Sequence, residues 1–329
     1  MAGPRPTVHR HPSGGYASST DVVPGAVVST VGYASAGGPA RPPSSQSQPP
    51  QVHRGLPSPY LTFIFTLGGP VVSGVTAGLA LGTEADRNDV LVAGLHHAPT
   101  YVVQPQTQAG IQLAVHPLAA RALLGAPTGE VPWQVLEGHD LLGGEVDRVR
   151  ERLEDTPSWD DRFAILADYL RARVAAHHGR QSPRPELVEA WAWLARHHGA
   201  GSMDALAAHV MISPRQLRTW FRAELGVSPK QVSRLMRFDA AKHSIARAVA
   251  AGSELGLTEI ATRHGYYDHP HLDAEFRQFA GASPSDWVAE ERRNIQAGAH
   301  GQTQDSSHDR YPDQQHPSQQ HPSQHHHDR

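Results

Sequence analysis

Two segments in the last third of the 329-residue chain repeat one another, and this repeat limits the fold more than any other feature of the sequence. The first, LAAHVMISPRQLRTWFRAELGVSP, runs from Leu206 to Pro229; the second, IATRHGYYDHPHLDAEFRQFAGASP, runs from Ile260 to Pro284. Leu217, Phe221, Gly226, Ser228 and Pro229 recur as Leu272, Phe276, Gly281, Ser283 and Pro284 at a constant offset of 55 residues. Ala207 pairs with Ala261 only if the second copy has one extra residue in its turn. Two copies at this spacing are supersecondary units, too few for a solenoid. Each reads as helix, turn, helix. In the first copy Ser213 is a good N-cap and Pro214 suits the first helical position, while Gly226 ends a helix that reaches about Leu225.

Within that helix Leu217, Phe221 and Leu225 form one buried face, with Trp220 beside it. Arg215, Arg218, Thr219 and Arg222 form the opposite stripe, with Gln216 at its edge. A charged stripe alone is usually a solvated surface. Here it sits in a region where local charge departs from the whole. From Ser213 to Arg247 there are eight bases and two acids, Glu224 and Asp239, inside a chain of formal net charge −3. A short helix with an apolar back and an Arg/Gln/Thr front suits the DNA major groove, where Arg can bond guanine and Gln adenine bidentately. The basic surroundings are what phosphate contact requires.

These residues bring the chain to a known pattern. ISPRQLRTWFRAELGVSPKQVSRLMRFDAAKH followed by LTEIATRHGYYDHPHLDAEFRQFAGASPSDW resembles the AraC/XylS family of bacterial transcription regulators over about residues 185–292. Gly265, Tyr266 and Asp268 fill the family's Gly-(Phe/Tyr)-x-(Asp/Glu) opening of the second recognition helix. The resemblance implies an all-α C-terminal domain of two helix-turn-helix units joined by a linking helix, here about 229–248. The recognition helices would enter successive major grooves of promoter or operator DNA, about one turn apart. Carried onto this sequence, Arg215, Gln216, Arg218 and Thr219 read bases from the first unit, and His271 and Asp273 from the second. Arg222, Lys230, Arg234, Arg237, Lys242 and Arg277 contact phosphates. Thr219 stands where many members carry Arg. At the 55-residue offset Arg215 becomes Pro270, Arg218 becomes Asp273 and Thr219 becomes Ala274, and acids outnumber Arg263 and Arg277 between Glu254 and Glu291. The first unit is therefore expected to supply most of the affinity, the second orientation, a few contacts or a surface for RNA polymerase.

The second copy also raises a metal question, because RHGYYDHPHLDAEF holds His264, Asp268, His269, His271, Asp273 and Glu275. His269 and His271 point to different sides of a helix, and His269 with Asp273 lacks a third and fourth ligand nearby. Asp268 has a simpler task as the N-cap of the second recognition helix. No metal and no cofactor is expected. The absence of cysteine excludes disulfides and thiolate metal sites.

The remaining sequence divides by texture. Residues 1–55 are rich in Gly, Pro and Ser, and 294–329 in Gln, His and Pro; both compositions predict disorder. Between them, 56–180 begins with strand-like YLTFIFTLG, NDVLVAGLH, TYVVQPQ and GIQLAVHP, then turns helical in PLAARALLG, EVDRVRERLED and WDDRFAILADYLRARVAAHH. This predicts an α+β N-terminal domain, sheet first and helices after, linked by GRQSPRP to the helical domain at 181–293. No catalytic motif is present in it. His96, His97 and His116 near strand ends are either loop residues or the lining of a pocket. GIQLAVHPLAARALLGAP with LEGHDLLG resembles the sensor-like domains that precede such DNA-binding units in actinobacterial regulators, which implies modulation by an unnamed small-molecule effector or by homodimerisation. No secretory signal and no apolar run of about eighteen residues is seen, so a cytoplasmic, nucleoid-associated protein is expected, with no membrane contact. Two other readings remain open. One is a metalloprotein or enzyme with its site in 56–180 and the helical part as a tether; the other is a degenerate relative that binds a protein partner.

Overall fold

The computed structural model describes residues 4–10, 16–34, 51–105, 108–132, 134–177, 182–253 and 256–296. The strands are β1 (His9–Arg10), β2 (Tyr16–Ser19), β3 (Val27–Ala34), β4 (Gln51–Gly55), β5 (Leu61–Thr66), β6 (Val71–Gly74), β7 (Asp86–Asn88), β8 (Val90–Ala93), β9 (Thr100–Gln104), β10 (Ala109–Val115) and β11 (Val135–Glu137). They form a seven-stranded sheet in the order β1-β2-β3-β10-β5-β8-β11 and a four-stranded sheet in the order β4-β9-β6-β7. Pairing is antiparallel throughout, with Leu113 of β10 opposite Thr30 of β3 and Phe63 of β5. Leu61, Phe63 and Phe65 alternate into the core, as a half-covered strand requires.

Five helices belong to this N-terminal domain: α1 (Ala77–Ala80), α2 (Ala120–Leu124), α3 (Gly138–Leu142), α4 (Glu145–Asp155) and α5 (Trp159–Ala176). Val146, Val149 and Leu153 of α4 and Phe163, Leu166 and Leu170 of α5 are buried at helical spacing and cover one face of the larger sheet. The domain is α+β with its sheet ahead of most of its helices. One expectation is corrected. Residues 1–55 are not structureless throughout, because β2 and β3 lie inside the larger sheet and β10 pairs with β3 along its length. The cause is the apolar stretch DVVPGAVVSTVGYA, whose Val22, Val23, Ala26 and Val27 are buried; averaging over the Gly/Pro/Ser-rich segment hides it. Residues 1–3, 11–15 and 35–50, His178 with three residues of the expected linker (179–181), and 297–329 of the tail lie outside the described residues.

Seven helices follow: α6 (Pro185–Arg196), α7 (Met203–His209), α8 (Pro214–Leu225), α9 (Pro229–Ala250), α10 (Leu257–Arg263), α11 (His269–Ala280) and α12 (Pro284–Gln296). Helix α9 is the expected linking helix, opened by a capping box between Ser228 and Gln231. Glu275 of α11 is buried and lies between two of its arginines, 2.6 Å from Arg234 Nε and 2.9 Å from Arg237 Nη2. Arg234 also donates to Gln278 and covers the Phe279 ring, and Arg237 covers the Tyr266 ring. Phe238 packs edge-on to Phe276 with ring centroids 4.9 Å apart. The second unit is thereby fastened to α9 by both charge and apolar contact.

The two domains meet along several contacts. Arg121 of α2 donates to both carboxylate oxygens of Glu224 on α8, at 2.7 and 3.0 Å. Gly129 approaches so closely that a Cβ there would stand 2.9 Å from the Gly226 nitrogen. A Cβ at Gly281 would stand 3.4 Å from Pro99 and from the Tyr101 hydroxyl, and Arg54 of β4 pairs with Glu290 of α12 at 3.3 Å. The His116 ring packs on Trp191 of α6 with centroids 5.1 Å apart, and its Nδ1 accepts from the Leu118 N–H.

Two outcomes follow from this packing. Glu275→Ala leaves Arg234 and Arg237 without their shared carboxylate and should cost about 3 kcal/mol in chemical denaturation, low in the range for a broken buried pair because Arg234 is partly in water. A loss below about 1 kcal/mol would show that the clamp contributes little. Burial pushes the His116 imidazole down to about 4. The unfolded chain takes up that proton near its ordinary value of about 6.5, so between there and about 4 the unfolded state binds more protons and stability falls as pH falls. Melting temperature should therefore drop on going from pH 7 to 5. The drop should be smaller in His116→Asn, which keeps a side-chain acceptor for Leu118 but cannot titrate.

Candidate nucleic-acid interface

Helix α8 begins where the Ser213 hydroxyl accepts the Gln216 N–H at 3.2 Å, and it ends at Gly226, whose φ of +74° suits a residue without Cβ. Leu217, Phe221 and Leu225 are buried. Arg215, Gln216, Arg218, Thr219 and Arg222 are all exposed, which leaves one polar face turned to solvent. The Thr219 hydroxyl donates to the Arg215 carbonyl at 3.1 Å, so its methyl and its lone pairs are what it can offer outward. Glu224, the acid of this helix, is turned inward to Arg121, and no acidic side chain interrupts the outward face. Lys230, at the start of α9, is exposed as well.

Helix α11 repeats the construction with different chemistry. Asp268 caps it by accepting the His271 N–H at 2.8 Å, and Gly281 ends it at φ +66°. His271 is half-buried, with its ring edge-on to Tyr266, and its Nδ1 accepts the Tyr267 N–H at 3.3 Å. Asp273 is paired with His269 at 3.2 Å and with Arg277 at 3.4 Å. Arg277 is exposed. The acid count of the sequence thus overstates the repulsion this unit presents, because Glu275 faces α9 and Asp273 is held between two cationic or cationisable partners.

The linking helix departs from expectation. Lys242 cannot serve as a phosphate contact, because it is 4% exposed and its ammonium lies 2.9 Å from Asp239. Burial alone would raise the Asp239 pKa, but the Lys242 charge and His243 outweigh it and hold the carboxyl well below the usual carboxylate range. Arg237 and Arg234 are committed to Glu275, Arg237 with 15% of its side chain in water. The physical reason is that α9 runs through the middle of the domain and is packed on most sides, so its bases are used to join the units. Arg215, Arg218, Arg222 and Lys230 are each exposed; Arg277 is the exposed base of the second unit that was expected to meet phosphate.

The three N-terminal histidines do not form one centre. His96 is buried, its Nδ1 2.8 Å from the Ala98 carbonyl oxygen, and burial lowers its pKa with help from His97 and Lys242. His97 is exposed, and His116 packs against Trp191. Among the described residues no group of three or more His, Asp or Glu could hold a metal, and no helix is long and apolar enough to cross a membrane. What the sequence reading overlooked are the inward partners, Glu224 with Arg121 and Glu275 with its arginines, and the exposed Tyr267. The signal for Tyr267 was present as the extra residue of the second turn.

Comparison with known proteins bears on this geometry. A helix-turn-helix domain family matches residues 206–290. Over 223 residues the chain is 28% identical to a "Probable thc operon regulatory protein" from Rhodococcus erythropolis, covering 67% of this chain and 54% of that relative, so it spans about half of the relative's length. Among solved structures, ToxT from Vibrio cholerae aligns over 73% of this chain and 93% of its own at 8% identity, with a TM-score of 0.44. The DNA-binding domain of AdpA, a global transcriptional factor solved with a target DNA, aligns over 34% of this chain and 96% of its own at 28% identity, with a TM-score of 0.30. Residues 206–290 of this chain are a DNA-binding helix-turn-helix domain of the AraC type.

Proposed function

We propose that the chain is a sequence-specific transcriptional regulator whose two recognition helices enter successive major grooves of an operator. The observation that carries this reading is the outward face of α8, where Arg215, Gln216, Arg218 and Thr219 are exposed together while the helix's only acid is turned inward. Arg215 and Arg218 have the fork geometry for guanine, Gln216 for adenine, and Thr219 a methyl for thymine. Arg222 and Lys230 flank them and take the phosphates on either side. In the second unit His271 and Asp273 face the groove and Arg277 takes a phosphate. Its contribution is the smaller one, because Asp273 is already paired and Arg277 is the single exposed base of α11.

The N-terminal domain acts on this reading rather than taking part in it. It touches α8 through Arg121 and Gly129, and touches the end of α11 through Tyr101, so an effector bound there, or a second copy, would change how the recognition helices are held. That coupling is supported by the position of the contacts. The regulator described for Rhodococcus erythropolis supports the same general role.

The test is in vitro selection of duplexes bound by the full chain, followed by mobility-shift titration. Arg218→Ala should weaken binding to the selected site by about 1–3 kcal/mol and relax preference at one base pair. Unchanged affinity would remove Arg218 from the base-reading set. Alanine at His271 and at Asp273 should each cost less affinity than alanine at Arg215 or Arg218. If the order is reversed, the second unit is the principal reader and the asymmetry proposed between the units is wrong.

A further inference from the structure

The two turns differ by one residue, and the structure shows which. Met211 and Gly265, both with positive φ of 55° and 72°, follow the first helices of their units and are 54 residues apart. The caps Ser213 and Asp268 that open the recognition helices are 55 apart. Between Met211 and Ser213 stands only Ile212, half-buried. Between Gly265 and Asp268 stand two tyrosines: Tyr266, 4% exposed, takes the core place of Ile212, and Tyr267, 92% exposed, is the residue added. An aromatic side chain almost wholly in water gives nothing to the fold. Its main chain is nevertheless fixed, since its N–H donates to His271 Nδ1 and the next residue is the N-cap. The added residue therefore projects its side chain into solvent from a fixed main chain at the mouth of α11.

That position has a chemical meaning when α11 enters a groove by its N-terminal end. The residue before the cap then lies at the groove's edge, where phosphates run, and the helix N-terminus favours an anion there. A phenol hydroxyl is a donor suited to a phosphate oxygen. We infer that Tyr267 is a DNA-backbone contact of the second unit, its hydroxyl donating to a phosphate oxygen beside the groove that α11 enters. This rests on the DNA-reading function proposed above. It also gives the second unit an anchor that does not depend on the basic side chains of the first unit that are replaced at Pro270 and Asp273.

The experiment uses the full chain and its selected duplex, with affinity measured by fluorescence anisotropy across a range of salt concentrations. Tyr267→Phe should weaken binding about ten-fold, the scale of a hydrogen bond to a charged group, and Tyr267→Ala at least as much. The salt dependence should stay as in the unsubstituted chain, because a neutral phenol displaces no counterion. A scan of methylphosphonate substitutions should find one phosphate whose neutralisation weakens the unsubstituted chain and leaves Tyr267→Phe unaffected. Binding by Tyr267→Phe within two-fold of the unsubstituted chain would overturn the inference, as would the absence of such a phosphate. Arg218→Ala run in parallel separates the two failures. If it loses affinity while Tyr267→Phe does not, the contact alone is wrong; if no duplex is selected, the DNA-reading function falls and the contact with it.

Discussion

The carboxylate of Glu275 sits out of water between two guanidinium groups of the linking helix, and the geometry of the DNA-binding domain depends on that arrangement. A buried carboxylate must be neutralised by partners, and Arg234 and Arg237 can do so only if α11 keeps one rotation and one height against α9. Rotating α11 by one residue would expose Glu275 and bury a neighbour, so the ion pairs act as a key for register. The rings of Phe238, Phe276 and Phe279 fill the space beneath. The first unit has no equivalent at the corresponding place. The counterpart of Glu275 at the 55-residue offset is Trp220; the inward acid of this unit, Glu224, stands four positions further along the helix and finds its partner in the other domain. The same device, an acid turned inward to an arginine, holds each recognition helix to a different neighbour.

This division of the charges explains what could be read from the residues and what could not. Helices α8 and α11 were legible nearly to the residue, because caps at Ser213 and Asp268, stops at Gly226 and Gly281, and apolar residues four apart are all local signals. The outward face of α8 followed from the same period. The linking helix was legible as a helix, yet the direction of its bases was not. It is contacted on several sides, so no single polar stripe separates Lys230, which is exposed, from Lys242, which is buried with Asp239. A base on a central helix meets an acid distant in sequence, and nothing local announces the pairing of Arg234 with Glu275. For β3 the obstacle was composition: a strand of valines and small residues between Gly/Pro-rich stretches is diluted when its surroundings are averaged.

The histidines make a related point. Six residues of metal-ligand type within fourteen positions raise a question of chemistry, and in the structure most of them serve the fold. Asp268 caps, Glu275 clamps, His269 and Asp273 pair, and His264 lies 2.8 Å from the Ser244 hydroxyl of the linking helix. Its imidazole is held down to about 4 by burial and by the neighbouring charges of His198, Arg263 and Arg247, so it is neutral at physiological pH.

The N-terminal domain touches both recognition helices at the same place, the glycine that ends each one. Gly226 meets Gly129, in the connection between β10 and β11 of the large sheet; Gly281 faces Tyr101, on a strand of the small one. The opposite ends of both helices, with Ser213 and Asp268, are left free. Each helix is thus held like a stylus, by the end away from the page, and each is held by a different sheet. A slip of one sheet over the other would be delivered as a change in the distance between the two tips, with the exposed side chains of each helix keeping their own arrangement. Under the function proposed above, such a change would select among operators by the spacing of their half-sites rather than by the letters within them.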